Sequence, residues 1–110
     1  MTIPKTVKIG GIRYRVLITE NLPLGELYSG EIDYRDATIR IRPSAPAVME
    51  RTCLHELVHA MLHDLGYSEH EEKEVDGLAG ALYALIVNNP AMFAASVASA
   101  KGGGKDGKDI

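Results

Sequence analysis

Leu54-His55-Glu56-Leu57-Val58-His59-Ala60-Met61-Leu62-His63-Asp64-Leu65 is the stretch from which the rest of the chain can be read. Leu54, Leu57, Val58, Met61, Leu62 and Leu65 recur with the 3.6-residue period of an α-helix that buries one stripe. Upstream, Pro43-Ser44-Ala45-Pro46 predicts the helix start, with Ser44 as N-cap and Pro46 near the first turn. Downstream, Gly66 suits a left-handed C-terminal cap. His55 and His59 are four residues apart, so they share one face about 6 Å apart along the axis. They fall at the edge of the apolar stripe, roughly 90 to 130° from its centre, which suits a cleft wall. Two imidazoles so placed can bind one metal ion from the same side, and Glu56 between them can address a water on that ion.

The 110 residues, 45% hydrophobic, predict one small folded domain over 1–90. Residues 91–110, Ala-rich and then Gly/Lys-rich, are expected to form a flexible tail. A net charge of −3 with scattered Lys and Arg gives no sign of nucleic-acid binding. Cys53 is the single cysteine, so no intrachain disulfide can form, which fits a reducing compartment. The N-terminal residues lack an apolar signal-peptide core, and no apolar run is long enough to span a membrane. The expectation is a soluble protein of the cytoplasm whose oligomeric state the sequence does not specify.

Before the helix, residues 5–42 read as an antiparallel β-meander of three to four strands. Val7, Ile9, Ile12, Tyr14, Val16 and Ile18 flank a Gly10-Gly11 turn, and a hairpin is expected around Tyr34-Arg35-Asp36-Ala37. The strand Ala37–Arg42 alternates, turning Arg40 and Arg42 toward solvent or a cleft, with a solvated face the favoured expectation. After the helix, Ser68 and Glu71 form a capping-box pattern for a second helix that runs to about Asn88 and is stopped by Pro90. Val75, Leu78, Ala79, Leu82, Leu85 and Ile86 give it a buried stripe. With a turn of only two or three residues between them, the helices should pack antiparallel. The fold class expected is α+β, a small meander followed by two packed helices.

A catalytic metal site of this kind needs a third protein ligand. His63 lies two turns, about 12 Å, from His55 and cannot share its ion. A third histidine three residues after a glycine is excluded, because those positions hold Leu62 and Leu65. The remaining candidates, His70, Glu69, Glu71, Glu72, Glu74 and Asp76, lie at the start of the second helix, where acids are also favoured by the helix dipole. Helical geometry leaves Glu72 and Glu74 tied.

His55-Glu56-Leu57-Val58-His59 followed by Glu72-Lys73-Glu74-Val75-Asp76 resembles the gluzincin pattern, H-E-x-x-H with E-x-x-x-D on the next helix. The wider run, from Leu54–Ala60 to Leu78–Tyr83, is similar to small phage and prophage metallopeptidases of the ImmA/IrrE type, over roughly residues 5–90. Val58 and Asp76-Gly77 depart from the commoner residues of that type. The resemblance implies a minimal zincin-like fold. It also implies Zn²⁺ held by His55, His59 and Glu72, Asp76 supporting a ligand histidine, and Glu56 as catalytic base. The implied function is a gluzincin-like endopeptidase hydrolysing a protein or peptide substrate, such as a phage regulator. Substrate is expected to pair with an edge strand of the meander, for which the strand ending at Arg42 is the candidate. Tyr67, Tyr83, His63 and His70 stand unranked as oxyanion stabilisers. The competing reading is a non-catalytic zinc-binding regulatory or interaction module, although such a module has no need of Glu56.

Overall fold

The computed structural model describes residues 1–93; the tail expected over 91–110 lies almost wholly outside the described residues. Four strands, β1 (Thr6–Ile9), β2 (Ile12–Ile18), β3 (Gly30–Asp33) and β4 (Thr38–Ile41), precede helices α1 (Pro46–Asp64) and α2 (Glu72–Asn88). The protein is thus α+β, one sheet with two packed helices. Glu72 and Asp76 lie beside His55, Gly80 beside Arg51, and Tyr83 beside Glu50, so the two helices run antiparallel.

The sheet is mixed and not a meander. Its order is β1-β2-β4-β3, with β2 and β4 parallel and the other two pairs antiparallel. Residues 19–29 carry the chain past the β4 position, and the 34–37 hairpin then returns β4 between its neighbours. Hence β4 is interior, with Thr38, Ile39 and Ile41 fully buried, and the expectation that it forms an edge is overturned. β3 and β1 are the edges. Arg40 and Arg42 are also not on a solvated face. Arg40 pairs with buried Glu31 at 3.1 Å, and the Glu31 carboxylate accepts from the Leu24 amide in the 19–29 loop. Arg42 donates to the carbonyls of Glu20, Gly25 and Tyr28 and so ties the same loop to the sheet.

The core joins Tyr14, Val16, Ile39 and Ile41 of the sheet to Cys53, Leu54, Leu57, Val58 and Ala60 of α1, and then to Val75 and Ala79 of α2. Among the described elements, α2 packs on α1 alone. Burial pushes the Cys53 thiol up to about 11, consistent with a packing residue and not a nucleophile.

Helix ends differ from expectation at two of four points, the two N-termini. Ala45, not Ser44, is the N-cap of α1, and Pro46 opens the helix as expected. Gly66 adopts φ +98°; its amide bonds the His63 carbonyl while that of Tyr67 bonds the Leu62 carbonyl, a Schellman closure. No capping box forms at Ser68. The connection occupies residues 65–71, because the His70 ring is held by His59 and the Tyr67 carbonyl, and α2 starts only at Glu72. Pro90 ends α2 as a continuous helix, and residues 90–93 begin a further helical turn. No helix among the described residues is long and apolar enough to cross a membrane.

Gly30 sets how closely β3 approaches α1. A Cβ there would lie 2.5 Å from Thr52 Cγ2 and 3.1 Å from the Arg40 carbonyl. Gly30→Ala should therefore destabilise the fold by about 1–3 kcal/mol in urea unfolding, the usual cost of overpacking.

Candidate metal centre

α1 brings His55 and His59 to one wall of a cleft of about 950 Å³, and the first turn of α2 brings Glu72 to the other. Nε2 of His55 lies 3.0 Å from Glu72 Oε1, and Nε2 of His59 lies 3.0 Å from Glu72 Oε2. One ligand atom from each residue falls within 4.8 Å of the others, and this is the metal-competent group among the described residues. Glu74, tied with Glu72 by helix geometry alone, does not join it.

The hydrogen bonds behind His59 fix which of its nitrogens faces the cleft. The Tyr67 carbonyl can only accept, so His70 Nε2–H donates to it at 2.7 Å. In a neutral ring His70 Nδ1 then carries the lone pair, and it accepts from His59 Nδ1–H at 2.7 Å. His59 is thereby left with its Nε2 lone pair toward Glu72. On the other histidine, Nδ1 lies 3.4 Å from Asp76 Oδ1 while Nε2 faces Glu72 Oε1 at 3.0 Å. Two imidazole nitrogens and a carboxylate so placed could hold one cation between them. Two nitrogens and one oxygen, with the cleft side open, suit a zinc-type ion that keeps one position for another ligand. Burial lowers the pKa of His59, with His55 and His70 adding to the effect against the opposing pull of Glu72. A neutral imidazole is the form that binds metal.

Glu56 points from α1 toward β3 and is buried at 7% exposure. A Cβ on Gly30 would come within 3.5 Å of its Oε2. Burial, helped by Glu72 and Glu31 and opposed by His55, raises its pKa to about 7. Tyr34 donates to the His59 carbonyl at 3.4 Å and stacks on His63 at 4.0 Å. Burial first, then nearby Tyr14, Glu56 and Glu72, push its pKa up to about 12, so it remains a donor.

Of the four residues considered for an oxyanion, His70 is engaged behind His59, and Tyr83 donates to Glu50 at 3.0 Å. Tyr67 does not line the cleft, whereas His63 does. Sequence reasoning missed Tyr34, which only the hairpin turn brings to α1. It also missed Arg51, although its position four residues before His55 marks the same helix face. No family model, curated protein or solved structure matches the chain.

Two outcomes follow for the metal-stripped and metal-titrated protein. His70→Ala and Asp76→Ala should each weaken zinc affinity by roughly 10–100-fold in competition with a chromophoric chelator. In EDTA, the ionisation cost of Glu56 is absent below about pH 4.5, grows as pH rises, and is complete above about 7. Glu56→Gln should therefore stabilise the metal-free protein at pH 8 by roughly 2–3 kcal/mol. Urea unfolding should show that advantage vanishing below pH 4.5.

Proposed function

We propose that the protein is a zinc-dependent, gluzincin-like metallopeptidase, akin to the ImmA/IrrE type, that hydrolyses peptide bonds in a protein or peptide substrate. The observation that carries this reading is Glu56. A site built only to hold a metal has no use for a buried carboxylate between two ligands, with its pKa raised into the range of proton transfer at neutral pH. Zn²⁺ held by His55, His59 and Glu72 would supply the positive charge that acidifies a water and polarises a peptide carbonyl.

The chain's own residues do the rest. Glu56 accepts the water proton at a carboxylate oxygen, which a nearby cation favours by stabilising the charged form. The water oxygen bonds to the carbonyl carbon, and Glu56 returns the proton to the departing amine nitrogen as the C–N bond breaks. Asp76 and His70 hold the two rings in the orientation that keeps both Nε2 lone pairs on the cleft. His63, stacked on Tyr34 within the cleft, is the remaining candidate for stabilising the oxyanion. The open edge of β3 borders the cleft and offers unpaired backbone groups to an extended substrate, the part first assigned to the strand ending at Arg42. The proposed setting is a bacterial or phage-infected cytosol, which the lone, buried Cys53 thiol suits, and a phage or prophage regulator is the proposed substrate class.

Purified protein should carry about one zinc per chain by elemental analysis, and His59→Ala should lose it. With a cleaved protein in hand, Glu56→Gln should retain zinc and lose at least about 100-fold in kcat, the usual worth of a general base. Full activity in that variant would rule out the base.

A further inference from the structure

We infer that Arg51 is a carboxylate-binding residue that selects peptides bearing a negative charge just C-terminal to the scissile bond; this rests on the peptidase reading above. Arg51 lies one turn before His55 on α1, about 6 Å along the axis, and it lines the same cleft. It is the only Lys or Arg among the residues lining that cleft. Four carboxylates line the cleft too, yet among the described residues Arg51 lies within ion-pair distance of none. Three of the four are already engaged, Glu31 by Arg40 and the Leu24 amide, and Glu72 and Asp76 by the histidines. Nearby Glu50 accepts from Tyr83. The guanidinium rests over α2 at a position without a side chain, where a Cβ on Gly80 would lie 3.3 Å from Nη2. The result is an exposed cation, unpaired among the described residues, at one end of an otherwise acidic cleft.

The direction of β3 says which part of a peptide reaches it. Gly30 lies beside Thr52 and Glu56, while Tyr34 lies beside His59 and His63, so β3 runs the same way as α1. A peptide pairing antiparallel with the open edge of β3 runs the other way, with its C-terminal side toward Arg51. Antiparallel pairing is the slightly stronger mode, and a peptide in the opposite direction would bring its ammonium terminus against the guanidinium. At about 3.3 Å per residue, the carboxylate falls two or three residues beyond the scissile bond. A free C-terminus and an Asp or Glu side chain share that chemistry.

Binding separates these cases. Three dansyl-tetraalanine probes should be titrated by fluorescence anisotropy into zinc-loaded Glu56→Gln protein: one with a free carboxylate, one amidated, and one amidated with aspartate in the last position. At least one anionic probe should bind ten-fold or more tighter than the neutral amide, and which one does so identifies the source of the charge. Arg51→Gln in the same background, with its fold checked by circular dichroism, should abolish the preference, and Arg51→Lys should keep part of it. A preference that survives Arg51→Gln belongs to the metal and overturns the assignment. So does equal binding of all three probes, or no binding at millimolar concentration. Cleavage by the wild-type protein is scored separately. Hydrolysis without an Arg51-dependent preference sinks this inference alone, whereas the preference without any hydrolysis sinks the peptidase reading and leaves a carboxylate site.

Discussion

α1 must satisfy two neighbours at once. It buries Cys53, Leu54, Leu57, Val58 and Ala60 in a core shared by the sheet and α2, and α2 has no other support among the described elements. Its remaining surface carries the polar residues. His55 and His59 lie between the buried stripe and water, with side chains 23% and 12% exposed. Glu56 is drawn in under β3 because Gly30 offers no side chain to keep the helix away. The geometry of the candidate metal centre is therefore a by-product of helix packing. A shift of α1 against β3 would move Glu56, and a shift of α2 against α1 would move Glu72.

Electrostatics complete that arrangement. The cleft gathers Glu31, Glu56, Glu72 and Asp76, a concentration of acid that calls for compensating charge. Arg40 compensates Glu31 from the sheet, and the two histidine rings face Glu72 and Asp76. Glu56 has no ion-pair partner among the described residues; burial chiefly raises its pKa, and a bound cation would oppose that rise.

Local signals were legible where one segment decides its own structure. The stripe of α1, the Schellman glycine at Gly66, the hairpin after Asp33 and the pairing of His55 with His59 all rest on residues within a few positions of one another. What depended on distant partners was not legible. Alternation in residues 37–42 reports which side of a strand is buried and says nothing about its neighbours, so the parallel insertion of β4 beside β2 was hidden. The same blindness put Arg40 and Arg42 in solvent, because the partner of Arg40 is Glu31 on the neighbouring strand β3, and those of Arg42 sit in a loop that folds back over the sheet. Ser68 and Glu71 spell a capping box, but the grip of His70 on His59 outweighs a cap worth about 1 kcal/mol. Glu72 and Glu74 were inseparable by helical phase, and only the seating of α2 on α1 distinguishes them.

The connection over residues 65–71 has a mechanical side. His59 near the end of α1 and Glu72 in the first turn of α2 converge on one point, and His70 within the connection grips His59 from behind. An ion shared by His59 and Glu72 would act as a cross-link closing a short loop, much as a disulfide does, in a chain whose one thiol is buried and cannot form such a bond. Chelation would then undo a clasp as well as empty a site, loosening the one helix that depends on α1 alone for its place.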